Sequence, residues 1–158
     1  MKKFIITSLF VFSLNAIAQN SDYQTGKKFY DRKEYQKAFT YFLKAANSGY
    51  AHAQFKVGSM YNEGEGIKKD TNKAIEWYLK AANNGDVDAT NNLAIIYAQN
   101  EDYSEAYKWF MKAAEQGLAS SQCAVGDMYQ RGDGVGKDMV QAIPWYRKCD
   151  IQRFTHSN

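Results

Sequence analysis

The chain has 158 residues, with 20 basic and 17 acidic side chains and a formal charge of +3. So even a balance does not hold a nucleic-acid backbone by charge, and nucleic acid is excluded as a partner. One proline, many tyrosines and alanines and no alternating Val/Ile pattern exclude a sheet protein and predict an all-α fold.

Lys2 and Lys3 precede an apolar run from Phe4 to Leu14 and the triplet Ala16-Ile17-Ala18. This is the layout of an export signal over residues 1–18, cut after Ala18. The run is too short for a permanent bilayer anchor, which takes about 20 residues. No cysteine follows it, so a lipoprotein is not expected. Cleavage removes two lysines and no acid, leaving a charge of +1. The expected location is the periplasm or the cell exterior, without a transmembrane anchor.

From residue 19 the chain repeats itself. A closing phrase, Ala-(x)2-aromatic-aromatic-x-Lys-Ala-Ala-(x)2-Gly, runs over Ala38–Gly49, Ala74–Gly85 and Ala106–Gly117, with a worn copy over Ala142–Cys149. Repeats of this length mark stacked supersecondary units. The spacing predicts four helix-turn-helix units, about 20–49, 50–85, 86–117 and 118–150, within a domain of residues 19–150, followed by a tail over 151–158.

Unit two is the most complete. Ala53, Val57, Gly58 and Tyr61 recur at three- and four-residue steps over Ala51–Glu63, and Ala74, Trp77, Tyr78 and Ala81 do so over Thr71–Asn83. These stripes predict two antiparallel helices, with Gly58 and Ala74 small so that the helix axes approach closely. Gly64-Glu65-Gly66-Ile67 between them, echoed by Gly132-Asp133-Gly134-Val135, predicts a glycine corner with an apolar pin. Asp70 and Asp138 are placed to cap the helices that follow. A phosphate loop is not favoured, because no Lys-Ser/Thr follows the glycines and no strand precedes them. Units one and three replace the corner by a short turn, Asn100-Glu101-Asp102 in unit three. The small position reads Gly26, Gly58, Ala94, Gly126, and the aromatic one Phe29, Tyr61, Tyr97, Tyr129.

On these residues the chain, from about Ser21 to Asp150, resembles the Sel-one-like repeat family, a relative of tetratricopeptide repeats. The resemblance implies an all-α superhelical solenoid whose first helices line a concave groove, and a role as an adaptor or partner-binding scaffold. Carried over by register, the groove takes Tyr23, Lys27, Tyr30 and Asp31 from unit one, and His52, Phe55, Ser59, Asn62 and Glu63 from unit two. Units three and four give Asp88, Asn91, Ile95 and Gln99, then Ser120, Asp127, Gln130 and Arg131. Tyr23, Tyr30, Phe55 and Ile95 read as exposed anchors in a polar setting, where interfaces concentrate energy. Packing of Tyr23 and Phe55 against neighbouring units is the alternative.

Two departures mark unit four. Pro144 falls where unit two has Glu76, so the last helix is expected to start late or to bend. The unit also lacks a closing glycine, which suits a terminal cap, although a bend shaping a binding surface is also open. Cys123 and Cys149 lie at similar heights in the hairpin, but Cys149 takes the inward Ala81 position and Cys123 the Phe55 position, which in tetratricopeptide geometry faces the groove. Secreted relatives carry disulfides one residue away from each, so a bridge and two reduced thiols both stay open.

No catalytic machinery is legible. His52 and His156 are the only histidines, so no histidine metal cluster can form, and His52 reads as polar surface. Ser-x-x-Lys is absent, which removes the serine route to β-lactam chemistry described for some secreted relatives. Glu63, Glu65 and Asp70 have Lys68 and Lys69 beside them and no calcium-loop spacing. The expectation is a monomeric, non-enzymatic protein without cofactor or metal. It would bind a protein partner such as an envelope protein, or a secreted antibacterial toxin such as a phospholipase, which it would neutralise as an immunity protein. A β-lactam-binding or -hydrolysing repeat protein and a peptidoglycan-binding module are the rivals.

Overall fold

A computed structural model describes residues 20–155, with side chains to residue 150. The expected export signal lies outside the described residues. Eight helices and no strands occur among them: α1 (20–31), α2 (Tyr35–Asn47), α3 (Ala51–Glu63), α4 (Thr71–Asn83), α5 (Val87–Gln99), α6 (Tyr103–Glu115), α7 (Ala119–Arg131) and α8 (Met139–Thr155). They pair in chain order as four hairpins, an all-α solenoid of helix-turn-helix repeats. The chain divides into two units, one ending at Asp86 with α1–α4 and one beginning at Val87 with α5–α8.

Each core is built from alanines with a few large side chains between them. In the first unit Ala38, Ala45, Ala46 and Ala53 are buried with Phe42, Val57 and Met60, and in the second Ala94, Ala106 and Ala114 with Phe110, Val125 and Met128. Alanine lets helix backbones approach, and the larger residues fill the space beside them.

The glycines of the small position leave room for an aromatic ring of the second helix. A Cβ on Gly58 would stand 2.7 Å from the Tyr78 ring, on Gly26 2.7 Å from Phe42, and on Gly126 2.7 Å from Tyr146. In each case the ring belongs to the second helix of the same hairpin. Ala94 is the exception, and its partner Phe110 is the most exposed of the buried core residues at 9%.

The helix ends follow local chemistry. Gly64 and Gly132 end α3 and α7 in the left-handed region at φ 77° and 88°. Asp70 accepts from Lys73 N at 3.0 Å, Asp102 from Glu105 N at 3.2 Å, and Asp138 from Val140 N and Gln141 N at 2.9 and 3.1 Å. The short turns put Lys33 and Glu101 at φ 62°. The second corner glycines, Gly66 and Gly134, lie against the backbone at the starts of α2 and α6, where no Cβ fits.

Pro144 does not delay the last helix. α8 begins at Met139, one residue after its cap, as α4 begins at Thr71 after Asp70. Pro144 is exposed on the sixth residue of α8, so the carbonyl of Val140 loses its helical donor at the surface rather than in the core.

Candidate functional site

The first-helix faces expected to bind a partner are α1 and α3 in the first unit, and α5 and α7 in the second. In the first unit the side chains fix one another. Tyr30 donates from Oη to Glu65 at 2.6 Å, and this bond, then burial, holds its phenol well above the usual range. Its ring meets Tyr35 edge-on at 5.2 Å. Lys56 Nζ lies 5.3 Å from the Tyr30 ring and 5.8 Å from that of Phe55. Ser59 donates to Glu63 at 3.3 Å. Asn62 is half-buried; Lys27, Asp31 and Glu63 are exposed.

Three of the four residues read as exposed anchors are half-buried instead. Tyr23 packs on Phe42 at 5.5 Å and Tyr50 at 5.1 Å, and burial, followed by Tyr50 and Asp86, raises its pKa. Phe55 lies 5.8 Å from Tyr78. Tyr30 is held as described. Ile95 alone is exposed, at 38%. His52 is 64% exposed, yet its Nδ1 is 2.7 Å from Asp86 Oδ2, whose carboxyl is 1% exposed. It is therefore not simply polar surface. This pair borders an open hollow of about 500 Å³ lined by Gly49, Tyr50, Ala51, Asn84 and Gly85.

In the second unit much of the candidate face is already engaged. Asn91 accepts from Ser121 Oγ at 2.8 Å, and Tyr146 Oη lies 2.7 Å from both Asp127 Oδ1 and Gln130 Oε1. Gln99, Arg131, Asp88 and Ser120 are exposed.

Tyr23, Phe55, Asn91 and Cys123 share one register, and in three hairpins that position touches the second helix of its own hairpin or the sulfur there. Cys123 is bonded to Cys149, their Cα atoms 5.4 Å apart, so the register position where Phe55 packs on Tyr78 carries one half of a disulfide in the fourth hairpin. No free cysteine occurs.

Two positions went unread in the sequence. Gln54 Nε2 donates to the carbonyl of Ala46 at 3.1 Å while its Oε1 accepts from Asn84 at 2.9 Å, and Gln122 Nε2 donates to Ala114 at 3.2 Å. These buried amides clip α3 and α7 to the hairpins that precede them. The signal was present: glutamine stands four residues before both Gly58 and Gly126. Among the described residues no group of three His, Cys, Asp or Glu is placed to hold a metal, and no helix is long and apolar enough to cross a membrane.

Helical hairpins in which α2 to α7 each run 13 residues, with glycine corners and ring-filled notches, define a solenoid of helix-turn-helix repeats. The Sel1 repeat model matches residues 14–50, 51–86, 87–118 and 119–148, and the chain belongs to the Sel1 repeat family. It is similar to c5321, a protective antigen of uropathogenic Escherichia coli with an SLR fold, at 37% identity and a TM-score of 0.82, covering 85% of this chain and 30% of that one. A Sel1 repeat protein of Oxalobacter formigenes is 34% identical with a TM-score of 0.76, covering 80% of this chain and 54% of that one. MamA, 18% identical with a TM-score of 0.63 and coverage of 93% and 85%, shares the fold. The chain thus spans 30% and 54% of the length of its two Sel1-type neighbours. No curated protein matches. Repeats of this family are typical scaffolds for protein–protein interaction.

Proposed function

We propose that the protein is an exported scaffold that binds another protein through its first-helix faces. Its specific form in this reading is an immunity protein that neutralises a secreted antibacterial toxin such as a phospholipase. The observation that carries the scaffold reading is the interlocked face of the first unit, where Tyr30, Lys56 and Phe55 hold one another in place beside exposed Lys27 and Glu63. Rings already fixed lose little freedom when a partner arrives, so more of the contact energy appears as affinity. In the second unit, exposed Ile95 offers an apolar contact among polar residues. Export rests on the pattern of residues 1–18, which lie outside the described part of the chain.

Capture from an envelope extract, with the chain from residue 19 as bait, is the direct test. Lys27→Glu with Ile95→Glu should lose at least tenfold of the captured partner while helicity stays unchanged. Full capture by that variant would move the binding surface elsewhere. For the immunity form, co-expression should rescue cells poisoned by a toxin encoded beside this gene, and the same variant should rescue poorly. Capture without rescue would remove the immunity form and keep the scaffold.

A further inference from the structure

The turn that closes the second hairpin carries the dipeptide Asn84-Gly85, and Asn-Gly occurs nowhere else in the chain. Apart from the last residue, every other asparagine precedes a residue with a side chain. An asparagine side chain is open to attack by the amide nitrogen that follows it, and only glycine leaves that nitrogen without a hindering Cβ. The equivalent turns read Ser48-Gly49 and Gln116-Gly117. Serine has no amide to attack there, and glutamine would have to close a larger, slower-forming ring.

The pair is accessible and held at the same time. Asn84 and Gly85 are exposed and line the open hollow beside His52, and a Cβ at Gly85 would meet nothing within 4 Å. Water therefore reaches the turn. Asn84 sits at φ −92° and ψ 13°, close to helical, and Gly85 N donates to the Ala82 carbonyl at 3.2 Å. Asn84 Nδ2 donates at 2.9 Å to Oε1 of Gln54, a residue only 5% exposed. Ring closure needs ψ to swing out of the helical region, so it waits on local release of that amide and of the turn.

We propose that Asn84 is a deamidation site gated by its hydrogen bond to Gln54. When the turn opens, Gly85 N attacks Asn84 Cγ: a C–N bond forms, the Cγ–Nδ2 bond breaks, and Nδ2 leaves as ammonia with the Gly85 amide proton. Water then opens the cyclic imide at either carbonyl, giving aspartate or isoaspartate at position 84. Either product replaces a donor by a carboxylate that only accepts, so Gln54 Oε1 loses its partner. It also faces a negative charge in a wall that already holds Asp86. Gln54 would then resemble Gln122, whose buried Oε1 has no partner among the described residues. The bond from Gln54 to Ala46 is untouched, so the modification loosens the end of α4 and leaves α3 clipped to α2.

The chain from residue 19, kept in mildly alkaline buffer and followed by peptide mass mapping, should convert amide to carboxylate at Asn84 at least tenfold faster than at Asn47. Unfolding the same chain in guanidinium should speed conversion at Asn84 at least tenfold. Gln54→Ala, with helicity intact, should speed it severalfold without denaturant. If that variant does not fold, Gln54→Met, close to glutamine in length, takes its place. Asn84→Asp reproduces one product and should melt below the parent. Conversion at Asn84 no faster than at Asn47, equal rates in the folded and unfolded chain, a folded Gln54 variant converting at the parent's rate, or an Asn84→Asp variant as stable as the parent would each overturn the proposal.

Discussion

At the scale of single residues, the glycine notch is the most demanding feature. Gly58 leaves room for a ring that is 1% exposed, so Gly58→Ala forces Tyr78 to move within a packed core. The expected cost is about 1–3 kcal/mol, read from the urea midpoint of unfolding. Gly58→Ala should also raise the exposure of Tyr78. Tyrosine hydroxyls supply a second test. Burial, then the hydrogen bond to Asp127, pushes Tyr146 from 10.0 up to about 12, and burial with the Tyr129 bond pushes Tyr107 to about 12. A pKa raised by folding means that the protonated phenol favours the folded state. That contribution is complete below the unfolded value of 10.0 and is lost as pH climbs through about 12. Denaturation midpoints should fall across that window, and Tyr146→Phe should show a shallower fall.

At the scale of elements, α8 is held by its cap and its disulfide and weakened by its proline. The bridge closes a separation of 26 residues between α7 and α8. On the chain-entropy account such a loop contributes about 3 kcal/mol, so reduction or Cys149→Ala should lower the unfolding free energy by about that amount. Calorimetry with and without reductant measures it. Pro144→Ala restores the donor for the Val140 carbonyl and should raise stability by up to about 3 kcal/mol. If the melting temperature does not rise, the backbone at Pro144 is already relieved by other means. Asp70→Ala should cost about 1 kcal/mol through the lost cap of α4.

At the scale of the whole molecule, hairpin number, helix bounds and glycine corners were legible because each repeat carries its own stop, cap and spacing. Ala51–Glu63 and Thr71–Asn83 could be read as helices from three- and four-residue steps alone, since those signals act within one or two turns. The binding face was legible only as a register. Tyr23 and Phe55 occupy it, but their rings turn onto Phe42 and Tyr78, and Asp127 and Gln130 turn onto Tyr146. Spacing places a Cβ on a stripe, whereas the direction of a long side chain depends on which neighbouring helix leaves room for it. Sequence by itself determined the repeat architecture, because turns, caps and small-residue positions are local choices of the chain. Only the tertiary structure decided which aromatics are spent on packing, that the two sulfurs meet, and that Asn84 reaches Gln54, because each depends on contacts between helices distant in sequence.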